Sequence, residues 1–253
     1  MTYCAAIAVD RGLCFISDSR TNAGIDNIST YSKMHRFSQA DRCIVILSAG
    51  NLATTQGVIA QVKKEIKKAA ALNLMTVPHL EEAADYLGEI NCAQQEKHTG
   101  GGGTYEASYI IGGQIKGQSP VAYLVYPQGN HITTSVDTPY LQIGESKYGK
   151  PILDRIITRD LPLETAALCG LVSMDSTMRS NLTVGPPLEV LLYSRDSLDL
   201  EHHYRFEEDS EYLRQLKNSW HERLRDAFNG LPPIAWSGNW DNQEGQNSSS
   251  NKR

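Results

Sequence analysis

A threonine stands at position 2, behind the initiator methionine and directly ahead of the apolar run Tyr3-Cys4-Ala5-Ala6-Ile7-Ala8-Val9. Methionine is normally trimmed when the next residue is small, so the mature chain is expected to open on Thr2. A terminal threonine carries its own base. Its free α-amine, with an unperturbed pKa of about 7.7–8.0, can take the hydroxyl proton directly or through a water. A nearby lysine disfavours protonation of that amine and stabilises the alkoxide, and an aspartate would hold the lysine charged and oriented. Asp18, in Ile16-Ser17-Asp18-Ser19-Arg20, and Lys33, in Tyr31-Ser32-Lys33-Met34, supply both. An oxyanion donor could come from the backbone N–H of Ala49 or Gly50, where Ser48-Ala49-Gly50 hands an apolar strand over to a helix. Each residue alone has a plain reading as a common second residue, a turn aspartate or a solvated lysine. Together, and with a strand that starts at residue 3, they spell nucleophilic hydrolysis of an amide bond.

The elements that must position these groups follow from the apolar spacing. Tyr3 to Val9 and Leu13 to Ser17, joined by Asp10-Arg11-Gly12, read as a hairpin that begins with the first residues. A polar stretch from Asp18 to Lys33 follows, then an apolar run from Cys43 to Leu47. Val58, Ile59, Val62 and Ile66 form one face of a helix whose other face carries Lys63, Lys64, Lys67 and Lys68, a solvated surface. Leu80 to Gln95 reads as a second helix, ahead of the run Gly100 to Gly103, and the extra apolar residues Ile90, Cys92, Leu72 and Leu74 are expected to be covered by a neighbouring subunit. No Lys-Ser/Thr follows those glycines and the next element is a strand, so they read as a connector rather than a phosphate loop. Ala107–Ile111, Val121–Tyr126, Ile132–Val136 and Tyr140–Ile143 read as an antiparallel meander. Helical blocks near Tyr148 and from Leu163 to Met178, a strand over Leu188 to Tyr193 and a charged helix from Tyr212 to Phe228 complete the pattern. The order predicts an α+β layered fold, two antiparallel sheets covered by helices. Residues 1–233 are expected to form a single domain and residues 234–253 a disordered polar tail, since Gly, Asn, Gln and Ser dominate there.

Bulk properties remove other function classes. A net charge of −5 leaves no basic field to hold a phosphate backbone, so nucleic acid is not an expected partner. There is no apolar run of 18 residues and no charged leader before Asp10 and Arg11, so neither membrane nor secretion is expected, and the reading is cytoplasmic. The 5 cysteines lack zinc or redox spacing and read as buried reduced thiols. His202-His203 has no partner at metal spacing and reads as surface, and Ser173 to Ser180 contains no Gly-x-Ser-x-Gly elbow. No metal and no cofactor are called for.

The stretch from Thr2 to Gly50 resembles proteasome β-subunits, and the chain is more similar still to the bacterial Anbu family, the ancestral β-subunits. Carrying the likeness are Thr2-Tyr3-Cys4, Ser17 to Gly24, Asp26 to Thr30 and Gly144 to Pro151, with the similarity extending over roughly Thr2 to Phe228. The resemblance implies a four-layer αββα sandwich, the N-terminal-nucleophile hydrolase fold, with Thr-dependent cleavage of peptide or peptide-like amides. It also implies self-assembly into a ring or helical homo-oligomer, with any ATP-dependent or accessory partner supplied by another chain. Around the nucleophile it points to Ser19, Glu145, Ser146 and Asn181 as supporting positions. Here the chain departs from the proteasome pattern: Gly144-Glu145-Ser146 replaces a Gly-Ser-Gly loop, and Asn181 stands where an aspartate is expected. A carboxylate at 145 would raise the amine pKa and weaken the base. Two other readings stay open on the same fold, a weakly active or noncatalytic ring-forming scaffold and an amidase or γ-glutamyl hydrolase.

Overall fold

The computed structural model describes residues 1–22, 28–97 and 104–233. The strands β1 (Tyr3–Val9) and β2 (Gly12–Asp18) form the expected hairpin, with Cys4 opposite Ser17 and Val9 opposite Gly12. All 7 residues of each are buried, because this sheet is covered on both faces. A short ribbon follows, β3 (Arg20–Asn22) with β4 (Ile28–Thr30), then β5 (Met34–Gln39) and β6 (Arg42–Gly50). Two helices come next, α1 (Leu52–Lys67), capped by the Asn51 side chain, and α2 (Leu80–Glu96). Strands β7 (Ala107–Ile115), β8 (Val121–Val125), β9 (His131–Thr133) and β10 (Tyr140–Gly144) precede α3 (Lys150–Ile156) and α4 (Leu163–Ser180). The chain then runs through β11 (Leu188–Ser194) and β12 (His203–Phe206) to α5 (Glu211–Asn229).

Two five-stranded antiparallel sheets result, ordered β10-β1-β2-β11-β12 and β5-β6-β7-β8-β9. Between them Cys4, Ala6, Phe15, Val45, Leu47, Ile110 and Leu191 form one core. A second core lies between the β5–β9 sheet and the helices α1 and α2, with Ile44, Ile46, Val58, Val62, Leu87 and Tyr109. On the other flank Gly170 of α4 packs on Ile16 and Ile7, and a Cβ there would sit 2.0 Å from the Ile16 methyl. The fold is thus α+β, a sandwich of two antiparallel sheets flanked by helices. Each fully buried Leu, Ile or Phe stabilises it by about 1.5–3 kcal/mol through burial alone.

Three local expectations are corrected. The four strands from Ala107 do not form one meander: β10 leaves the β7-β8-β9 run and pairs with β1, Tyr3 opposite Gly144 and Ile7 opposite Tyr140. Alternation marks a strand without naming its neighbour. The polar stretch before Lys33 holds the β3–β4 ribbon, whose side chains lack the apolar alternation that flags a strand. Ile90 and Leu74, expected to await a neighbouring subunit, are core residues, whereas Leu72 is 53% exposed. Contacts group residues 1–213 in one compact unit, and a second begins at Arg214 within α5, a helix that carries no buried residue. The expected tail and the glycine connector at 100–103 lie outside the described residues. Among those described, no helix is long and apolar enough to cross a membrane.

Candidate active site

The hairpin register sets the site. Because Cys4 faces Ser17, the next positions along, Tyr3 and Asp18, lie side by side at the end of the sheet where Thr2 emerges. The Tyr3 N–H donates to Asp18 Oδ1 at 3.0 Å, and Lys33 Nζ donates to the same oxygen at 2.7 Å. Lys33 also donates to the Arg20 carbonyl at 2.7 Å, while the Gly185 N–H reaches Asp18 Oδ2 at 3.4 Å. Asp18 is fully buried and Lys33 nearly so. Burial pushes the Asp18 carboxyl above its ordinary pKa, and the Lys33 charge with the two backbone donors works against that rise. Such a pair adds little net stability, yet removing one partner would strand a buried charge at a cost of about 3–5 kcal/mol.

Lys33 is tied to the second sheet as well, since the Ser48 N–H donates to its carbonyl at 3.0 Å. That bond also fixes which way β6 turns its donors. Asn51 donates to the Glu106 carbonyl at 2.9 Å and Ala49 pairs with Ser108, so odd-numbered N–H groups point into the β7 ladder. Ala49 is therefore directed into the sheet. Gly50 is directed the other way, past the start of β5, towards Lys33. Its φ of +118° and the 2.4 Å approach that a Cβ would make to the Glu106 carbonyl require glycine.

Thr2 is half-buried, held by a 2.7 Å bond from the Glu145 N–H to its carbonyl. Gly144 crosses over it with φ +83°, and a Cβ there would lie 2.0 Å from the Thr2 carbonyl oxygen. Met1 precedes it, 63% exposed. Its terminal amine, one residue ahead of the amine that trimming would expose, is held below the usual pKa first by burial and then by Lys33, with Asp18 and Glu145 opposing. Thr2, Lys33, Ala49, Gly50 and Gly144 line one cleft of about 680 Å³, together with His35 and one face of α1.

The supporting positions divide. Glu145 is buried and accepts from Asn181 Nδ2 at 3.3 Å, so these two meet as a pair beside Thr2. The Ser19 hydroxyl donates instead to Glu189 Oε1 at 3.1 Å, and Ser146 does not line the cleft. His203, read as a surface residue, bonds the buried Glu189 through Nε2 at 3.0 Å. Burial pushes the thiols of Cys4, Cys14, Cys43 and Cys169 up, the last two to about 11, which disfavours them as nucleophiles. Sequence reasoning did not single out Gly144 as a close-approach residue, the Arg20 carbonyl and Gly185 N–H as partners of the ion pair, or His35 and Lys63 as cleft residues. The glycines lay inside quoted motifs and were findable, whereas a carbonyl partner leaves no mark on a sequence.

No family model matches the chain, and no match was found among the curated proteins. Solved structures match it closely. Anbu (ancestral β-subunit) from Yersinia bercovieri is 46% identical with a TM-score of 0.88, covering 92% of this chain and 100% of that one. Anbu from Hyphomicrobium sp. strain MC1 is 41% identical with a TM-score of 0.86, covering 92% and 100%. The helical assembly of the Anbu complex from Pseudomonas aeruginosa is 46% identical with a TM-score of 0.88, covering 92% and 98%.

Proposed function

The chain belongs to the Anbu family, the ancestral β-subunits related to the proteasome, and from that premise we propose that it is a threonine-type amide hydrolase, acting through an acyl-enzyme on Thr2 once Met1 is removed. The observation that carries the reading is the shared Asp18 oxygen, which takes Lys33 Nζ at 2.7 Å and the N–H next to the nucleophile at 3.0 Å. The pair fixes a cation beside the terminal amine without leaving it free to drift.

The chemistry runs as follows. The neutral Thr2 amine takes the Oγ proton as Oγ attacks the substrate carbonyl carbon, and the oxyanion that forms points to the Gly50 N–H. Collapse breaks the C–N bond, the ammonium returns its proton to the leaving amine, and an ester on Thr2 remains. The same amine then deprotonates a water that attacks the ester, releasing the acid and restoring the hydroxyl. Lys33 favours the neutral amine before each transfer and the alkoxide during it. Glu145 pulls the other way, which fits a slow or substrate-restricted enzyme.

We place this activity inside a homo-oligomer in the cytoplasm, with peptide substrates and with any unfoldase supplied by another chain. The helical assembly of the Pseudomonas aeruginosa relative supports the oligomer. So do exposed apolar side chains on and after α3 and α4, among them Ile156, Leu168 and Leu182. Residues 1–233 serve as the assembling subunit. The test is intact mass after incubation with a peptide electrophile of broad reactivity: Met1 absent and one adduct on Thr2 is the expected result. A processed chain that never acylates would move the reading to a noncatalytic scaffold, and acylation by small γ-glutamyl amides but not peptides to an amidase.

A further inference from the structure

The wall of the cleft away from Thr2 has a chemistry of its own. Residues two apart on a strand share a face, which sets His35 on the Lys33 side about 7 Å further from Asp18. Opposite, α1 lines the cleft with Leu52, Thr55, Gln56, Ile59, Ala60 and Lys63, the spacing of one helical face. Helical side chains lean towards the N-terminus, and the N-terminus of α1 adjoins Gly50, so the Lys63 stem leans into the cleft. Arg20, Lys33, His35 and Lys63 line this space and, among the described residues, no aspartate or glutamate does. Two of those cations are already answered, Lys33 by Asp18 at 2.7 Å and Arg20 by Glu208 at 3.7 Å. The Lys63 ammonium makes no ion pair or hydrogen bond among the described residues. The neighbouring groove that shares Lys63 does hold Asp199 and Glu201, but Asp199 accepts the Glu201 N–H at 2.7 Å instead. His35 is held down to about 4, by burial first and the Lys63 charge second, so it is neutral at pH 7.

Resting on the hydrolase reading above, we infer that this end of the cleft selects an acidic side chain, glutamate ahead of aspartate, on the residue whose carbonyl Thr2 attacks. A carboxylate leaving water gains a charge-assisted bond to Lys63, with neutral His35 as a second polar contact. A glutamine of the same shape gains only neutral bonds, and a lysine meets a like charge. Glutamate carries the extra methylene that reaches a group one turn of α1 beyond Ile59. Because Lys63 is exposed, the preference weakens as salt rises.

The test uses the assembled, Met1-free protein and acyl-peptide fluorophores that differ only in Glu, Gln or Lys at that residue. The expected kcat/KM ratio of Glu to Gln is about tenfold at low salt, falling in high salt, and Lys63→Glu inverts the order in favour of Lys. A ratio near one, or one that Lys63→Glu leaves alone, overturns the inference while Thr2 acylation continues. If no substrate is turned over, the hydrolase reading is what has failed, and binding decides. Capped peptides carrying Glu or Gln, titrated into the Thr2→Ala protein by fluorescence polarisation, should differ by the same factor, and equal affinities overturn the pocket.

Discussion

The two walls of the cleft use charge in opposite ways. On the wall built by β1 and β2, Asp18 is fully buried and its Oδ1 is taken by two donors, so the charge on Lys33 is fixed in place before substrate arrives. On the wall built by α1, Lys63 is exposed and has no partner among the described residues. A buried, satisfied pair cannot respond to a ligand; it can only hold geometry and bias a neighbouring proton equilibrium. An unsatisfied cation at the cleft edge does the reverse: it recognises. The contrast separates residues expected to set kcat from those expected to set preference among substrates.

The sharpest break of that division is at the nucleophile. Thr2→Ala keeps a small residue that allows Met1 removal and takes away the hydroxyl together with the γ-methyl. Acylation should vanish and turnover fall to background, a loss of at least about 10⁴-fold, with stability changed by about 1 kcal/mol or less. Thr2→Ser should retain a measurable part. Turnover equal to wild type in Thr2→Ala would empty the chemical wall of its role.

Next in size is the ion pair. Asp18→Asn and Lys33→Met should each cost about 10²–10³ in kcat, and the double variant little more, because the two act as one unit. Multiplicative losses would mean they serve separate sites. Lys33→Met also leaves the Asp18 carboxyl buried without its cation. Its folded pKa, already raised, rises further, so the variant is penalised above the unfolded value of about 3.9 and the penalty grows as pH rises towards the folded value. Urea titrations should show a deficit of about 3–5 kcal/mol near neutrality that shrinks in acid.

A smaller effect is expected where the end of β10 crosses Thr2. Gly144→Ala puts a methyl 2.0 Å from the Thr2 carbonyl oxygen and an L-residue at φ +83°. The backbone strain is about 1–2 kcal/mol, but a displacement of the nucleophile by 1 Å can cost about 10² in rate. A folded variant with kcat lowered and KM little changed is the expected outcome; unaltered kcat would mean Thr2 tolerates movement.

How much of this was legible follows the same division. The chemical wall depends on short-range order: Thr2 opens β1, Asp18 closes β2, and a hairpin with six paired positions brings them together. Two short apolar runs and one turn signal suffice to read that. Lys33 was legible because it closes the polar stretch ahead of the next strand, although the Arg20 carbonyl that holds it was not, since any residue supplies a carbonyl. The recognising wall depends on which helix lies across which sheet. Lys63 was read as one of four solvated lysines because helical periodicity separates apolar from polar faces without saying that a polar face borders a cleft. Ser19 shows a related effect. It neighbours Asp18 in sequence, but its hydroxyl goes to Glu189, so sequence adjacency did not bring it to the site.

The smallest predicted effect probes Glu145, a carboxylate that stands close to the amine without being tied to Lys33. Burial and then Lys33 lower the pKa of the Met1 amine, while Asp18 and Glu145 raise it, and the Thr2 amine that trimming exposes is expected to feel the same groups. The amine must be neutral to act as base, so kcat/KM should rise with pH through the amine pKa and level off above it. Glu145→Gln keeps the shape, and its amide can still accept from Asn181, but it removes the charge. The amine pKa then falls and the rising limb moves to lower pH, so the gain over wild type is present on the acid side and absent once both amines are neutral. Lys63→Gln, on the other wall, should leave the limb where it is while lowering the preference for acidic substrates. A limb that moved with Lys63 and not with Glu145 would mean that the charge reaching the amine comes from the recognising wall, and the division between the two would have to be given up.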